Sequence, residues 1–200
     1  MINRIQRLIA LPGSSLNAEC LVFLGLLILF FSGCQDPVMV KPAGKLRLDF
    51  PKATYANLES LCHYNFEVNQ GAQIQQKPNC ALNIHYPFME ATIYVTHQEI
   101  DRDLPQLLSD AQKLTYDHSI KASQILEQPR VDGDHRVYGM YYAIDGDAAS
   151  QAQFYLTDST RHFLTGALYF NTKPNFDSLY PAIDYVRRDI RHLMETLRWE

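Results

Sequence analysis

The stretch Ser123–Phe170 reads SQILEQPR, VDGDH, RVYGMYYAI, DGDAAS, Q, AQFYLT, DSTR and HFLTGALYF. Four of these pieces, Ser123–Arg130, Arg136–Ile144, Ala152–Thr157 and His162–Phe170, carry the β-branched and aromatic residues that fit a pleated surface. The connections VDGDH, DGDAAS and DSTR consist largely of Asp, Gly and Ser, which hydrogen-bond their own backbone or tolerate left-handed φ. Connections this short can only reverse the chain, because a parallel return needs a dozen or more residues. The stretch therefore predicts three consecutive hairpins and an antiparallel meander.

Upstream, period-two alternation recurs in Cys62–Val68 (CHYNFEV), Cys80–Tyr86 (CALNIHY) and Ala91–His97 (ATIYVTH), with a shorter instance at Leu46, Leu48 and Phe50 that Pro51 ends. Cys62 and Cys80 fall on the apolar faces of their strands, and the polar linker NQGAQIQQKPN between them predicts a long hairpin. A helix follows: Asp101 and Asp103 offer an N-cap, Pro105 suits the first turn, and Leu104, Leu107, Leu108, Ala111, Leu114 and His118 form one stripe. A second, longer helix is predicted from about Ser178 to Trp199. Leu179, Ile183, Val186, Ile190, Leu193 and Leu197 face one way, with Asp184, Arg187, Arg188, Arg191 and Glu195 on the other side. That stripe serves either a flanking position on a sheet or a coiled-coil partner. Strands, helix, antiparallel strands, helix is the order of an α+β domain, an antiparallel β-sheet flanked by helices. The layout resembles a Mog1/PsbP-like α/β/α sandwich, a likeness of fold that carries no function.

The start of the chain has Arg4 and Arg7, then the apolar run Leu21–Phe31 (LVFLGLLILFF), then Ser32, Gly33 and Cys34. A basic start, a short apolar core and small residues before a cleavage point mark a secretory signal. Phe31-Ser32-Gly33-Cys34 looks like a lipobox, although Phe31 stands where Leu or Val is usual. The expected organisation is a signal peptide over 1–33, lipid on Cys34, a tether over 34–44 and one α+β domain over 45–200. Gln35 and Asp36 after the cysteine favour delivery to the outer membrane, facing the periplasm. Removing residues 1–33 takes away two basic residues and one acidic one, so the formal net charge moves from −4 to −5. Nucleic acid and anionic membrane surfaces reward clustered Lys and Arg, so neither is an expected partner. Of the four cysteines, Cys20 leaves with the signal and Cys34 is taken by lipid, which leaves Cys62 and Cys80 as an even pair in an oxidising compartment. A bridge between them is one reading and two separately buried thiols the other.

Asp158, Ser159 and His162 lie together in LTDSTRHFL, which raises nucleophilic catalysis. There is no GxSxG, and a triad is assembled in three dimensions rather than within five residues of a turn. A hairpin turn is the simpler reading, and a periplasmic hydrolase or small-ligand binder using this turn is the alternative. The seven histidines form no HExxH pattern, and neither DGD segment, Asp132–Asp134 or Asp145–Asp147, continues into an EF-hand loop. No metal, cofactor or catalytic residue is expected. Tyrosines are more suggestive. Tyr138, Gly139 and Tyr141, with Asp158, Ser159, Arg161 and His162, form a candidate interaction surface, against a tyrosine-rich core as the other reading.

VYGMYY (Val137–Tyr142), FYLTDSTRHFLTGALYFN (Phe154–Asn171) and LMETLRW (Leu193–Trp199) strongly resemble the gliding-motility lipoprotein GldD family. So do KPAGKLRLDFP, the Cys62/Cys80 pair and YPFMEATIYVTH. The resemblance implies a cell-envelope lipoprotein needed for gliding, held to its membrane through Cys34. Its implied partners are envelope proteins of the gliding and type IX secretion apparatus, and no enzymatic activity comes with it.

Overall fold

Ala91–Glu99 and His162–Phe170 pair antiparallel along their whole length, Ala91 opposite Phe170 and Glu99 opposite His162, so the alternation in each strand sorts residues onto the same two faces. The computed structural model describes residues 49–58, 62–117, 120–173 and 175–200. The expected signal peptide, Cys34, the tether, Leu46, Leu48 and His118 lie outside these residues.

Among the described residues eleven strands and two α-helices follow in order: β1 (Tyr55–Asn57), β2 (Tyr64–Asn65), β3 (Glu67–Asn69), β4 (Gln73–Gln76), β5 (Leu82–Tyr86), β6 (Ala91–Glu99), α1 (Leu104–Asp117), β7 (Ala122–Asp132), β8 (Val137–Gly146), β9 (Ala152–Thr157), β10 (His162–Phe170), α2 (Phe176–Thr196) and β11 (Arg198–Trp199). Seven strands form one sheet in the order β4-β5-β6-β10-β9-β8-β7, and every neighbouring pair is antiparallel. The meander β7 to β10 is as its turns require, and the fold is α+β.

One face carries Leu82, Ile84, Ile93, Val95, Leu156, Leu164 and Leu168, all buried, and packs with Val186, Ile190 and Leu193 of α2 and with Leu197 just past its end. Each such side chain contributes about 1.5–3 kcal/mol by leaving water. Gln153 of β9, on the opposite face, accepts a hydrogen bond from the Thr115 hydroxyl of α1 at 3.1 Å.

Helix α2 starts two residues before the expected Ser178, because the Asn175 side chain caps it by accepting the Ser178 N–H. It stops before the expected Trp199. Leu197 turns extended at ψ 136°, and Arg198 and Trp199 pair with Asn65 and Tyr64 as strand β11. Arg187, read as outward-facing, is 8 % exposed and Asp189 is 5 % exposed. The Arg187 guanidinium donates to the carbonyls of Ile144 and Gln151 at 2.8 Å and pairs with Asp145 at 2.8 Å. Asp189 accepts from Tyr55 Oη (2.6 Å), Asn69 Nδ2 (2.7 Å) and Tyr86 Oη (3.0 Å).

A disulfide joins Cys62 to Cys80. The hairpin expected between their strands is not what it closes. Strand β2 pairs with β11, and β5 pairs with β4, which lies inside the stretch read as linker. Asn79 and Cys80 take left-handed φ of 57° and 55°, so the chain turns there and β5 begins only at Leu82. Strand β4 is an edge strand with one apolar residue, Ile74, and so gives no alternation to read.

Replacing Arg187 with Leu strands two buried carbonyls, so a loss of about 3 kcal/mol in unfolding free energy is expected in a denaturant titration. Arg188→Leu, one position along and exposed, should change it by less than about 0.5 kcal/mol. Converting Cys62 and Cys80 together to Ser opens a loop of 18-residue separation and should lower the same unfolding free energy by about 3 kcal/mol.

Candidate functional site

The DSTR turn is built around Asp158. Its carboxylate Oδ1 accepts the N–H groups of Thr160, Arg161 and His162 at 2.8–2.9 Å, and Oδ2 accepts the Thr160 hydroxyl at 2.9 Å. Burial works against the charge, but these four donors outweigh it and hold the carboxyl well below the usual carboxylate range. Ser159 sits at the exposed tip with φ 66°, its N–H donating to Thr157 Oγ1. No hydrogen bond joins its hydroxyl to His162 among the described residues. The groups that suggested a triad are spent on shaping the turn.

His162 instead points beneath the sheet face that packs on α2. It is 5 % exposed, its Nδ1 lies 3.1 Å from His97 Nε2, and its ring stacks on Trp199 (5.4 Å) and His63 (5.8 Å). The antiparallel register makes His97 and His162 diagonal neighbours on one face. Trp199 is fixed from its other side by an Nε1–H bond to the Arg136 carbonyl. The sequence gives no spacing signal for this cluster, because His63, His97, His162 and Trp199 come from four separate elements. Nε2 of His162 has no partner among the described residues.

The same end of the sheet gathers two hairpin turns. The Arg136 guanidinium donates to Thr160 Oγ1 at 3.0 Å and to the Asp158 carbonyl at 3.4 Å, and the Ile100 N–H donates to the Arg161 carbonyl at 2.9 Å. Arg102, Arg136 and Ser159 hold left-handed φ of 60°, 54° and 66°. Such backbone costs about 1–3 kcal/mol per residue and persists only where the surroundings enforce it. Ser159, Thr160 and Arg161 are exposed here.

The remaining candidate residues separate. Tyr141 lies on the α2 face and is buried, with Arg191 over its ring at 5.8 Å. Tyr138 points to the opposite face and is half-buried. Gly139 is a packing position, since a Cβ there would stand 2.0 Å from the Tyr155 carbonyl oxygen. The structure thus brings Asp158, Ser159 and Arg161 together with Arg136, while Tyr141 and His162 belong to the interior. On the opposite face, a cleft of about 200 Å³ opens between α1 and the sheet, lined by Tyr94, Tyr142, Tyr155 and Tyr169 among others. Strand alternation alone predicts these tyrosines on a shared face; that α1 leaves them partly uncovered is visible only in three dimensions. No group of three or more His, Cys, Asp or Glu side chains among the described residues is arranged to hold a metal ion.

A family profile described as gliding motility lipoprotein GldD matches residues 35–199. No curated protein matches the chain.

Burial, then the neighbouring His162 and His63, holds the His97 pKa below its ordinary 6.5, and burial holds that of His162 below 6.5 against the pull of Asp158. Both rings stay neutral in the folded chain at pH values where the unfolded chain already takes up protons. Their stabilising contribution is full above about pH 6.5 and is lost as the pH falls below it. The melting temperature should therefore drop between about pH 7 and pH 5, well above the range where Asp158 titrates, and the drop should shrink in His97→Asn. A flat melting temperature across that interval would contradict the assignment.

Proposed function

We propose a binding role for this chain, which belongs to the gliding motility lipoprotein GldD family and is thereby a membrane-anchored envelope protein involved in gliding. It works as a non-enzymatic assembly component of the gliding machinery and of the type IX secretion linked to it. Residues 1–33 are removed as a signal peptide in this reading, and lipid on Cys34 holds the domain to the outer membrane on its periplasmic side. No helix among the described residues is long and apolar enough to cross a membrane.

The observation that carries the binding role is the loop end of the sheet. Two turns are tied by Arg136, three non-glycine residues are held left-handed, and Ser159, Thr160 and Arg161 are presented on top. Strained, exposed backbone on a rigid scaffold favours recognition of a partner surface. The hydrolase alternative loses its main support, because Asp158 is occupied by its own turn and His162 is turned inward.

In cells, Cys34→Ala should release the protein from the membrane fraction and stop gliding. Arg161→Glu combined with Thr160→Glu should stop gliding and remove crosslinks to envelope proteins while leaving the amount of membrane-bound protein unchanged. Ser159→Ala should lower gliding only as far as it lowers those crosslinks. If Ser159→Ala alone stops gliding with crosslinks and protein level intact, the enzymatic alternative takes the place of this reading.

A further inference from the structure

The cleft beneath α1 is separate from the loop end. Helix α1 stands off the sheet. Of its 14 residues only Thr115 is buried, and Leu114, which lines the cleft, is 46 % exposed. Tyr94, Tyr155 and Tyr169 form the walls, with Tyr94 and Tyr169 edge to face at 5.8 Å. The floor is small and polar, with the Thr96 and Thr165 hydroxyls 2.7 Å apart and exposed. At the back stands Tyr142, 3 % exposed, which lines the cleft together with Gln153.

Two properties of the cleft restrict what fits it. None of its lining side chains is charged, so it offers no counter-charge to an anion that gives up water on entry. Its floor strands, β6, β10, β9 and β8, are each paired on both sides. A peptide laid along them finds no free backbone N–H or C=O and buries its own amides unpaired. A sugar ring has the opposite distribution of polarity, with apolar C–H faces for tyrosine rings and a rim of hydroxyls for tyrosine and threonine oxygens. The volume, about 200 Å³, is below that of sites enclosing a drug-sized molecule and suits one ring of a longer chain.

We propose that this cleft binds one ring of a neutral glycan, with Tyr94, Tyr155 and Tyr169 stacking on its faces and Tyr142, Thr96 and Thr165 bonding its hydroxyls.

The test uses the full lipidated protein in a detergent without a sugar headgroup. Calorimetric titration covers malto-, cello-, laminari-, manno- and chitohexaose, with an alginate hexamer and a neutral proline-rich peptide as comparisons. At least one neutral hexasaccharide should saturate with a dissociation constant near or below about 1 mM. Tyr94→Ala, at a half-exposed position, should weaken binding roughly tenfold or more. Thr96→Trp, which fills the cleft from an exposed floor position, should abolish it, and both variants should keep the parent melting temperature. The proposal is overturned if no neutral hexasaccharide binds at about 10 mM, or if binding survives both substitutions. It is equally overturned if only the alginate or the peptide binds in a Tyr94-dependent way.

Discussion

Helix α2 carries an arginine and an aspartate two residues apart on turns that meet the interior, and the helix can lie on the sheet only because each has partners on a different flank. Arg187 reaches the β8–β9 connection, where the carbonyls of Ile144 and Gln151 and the Asp145 carboxylate receive it. Asp189 reaches the other way, to Tyr55 of β1, Asn69 of β3 and Tyr86 of β5. Apolar burial holds the helix down but has no direction of its own. These two polar clamps fix where along the sheet it lies and how it is rotated. Their position also brings Leu193 and Leu197 over the core, so that β11 leaves the helix beside β2.

The two faces of the sheet are consequently unequal. One is sealed by α2 and its last strand, and it takes His97, His162 and Trp199 into the seal. The other is only half-roofed by α1, which is tied to the sheet by Thr115–Gln153 and by an exposed Tyr116–Glu127 hydrogen bond and buries only Thr115. Tyrosine suits both places, because a buried ring is apolar and a half-buried one keeps a wet hydroxyl. Tyr141 and Tyr142 are adjacent in sequence, and strand alternation sends one to each face. The asymmetry leaves two features of the domain open to water, the turns at the sheet end and the cleft under α1.

Much of this was legible in the sequence, for identifiable reasons. The meander β7 to β10 announces itself because each strand is long and each turn is rich in Asp, Gly or Ser. The α2 stripe is legible because six apolar residues, Leu179 to Leu197, recur at helical spacing. Strand β4 was not, since an edge strand facing water needs no alternation, and Gln73, Gln75 and Gln76 look like linker. Strand β11 was not, because Leu197 continues the helical stripe and only its extended ψ ends it. Arg187 was misplaced because helical spacing says which side a residue takes, and not whether carbonyls wait there. The disulfide was legible as an even pair of cysteines, yet the strand pairing around it was not, because left-handed residues at Asn79 and Cys80 leave no mark that composition reveals.

The Cys62–Cys80 bridge has a mechanical meaning. A pull entering from the N-terminal side of the described chain first meets β1 and Leu58. At Cys62 it passes through the sulfurs straight to Cys80, so residues 63–79 carry none of it. Strands β2, β3 and β4 all lie inside that bypassed loop, and β2 is the strand that holds β11. Tension that peels the front of the domain therefore reaches β5, in the interior of the seven-stranded sheet, without loosening the seam that closes the C-terminal helix. For an envelope protein involved in gliding, the bridge is, besides a stabiliser of the resting fold, a rule about which parts of it can be stretched.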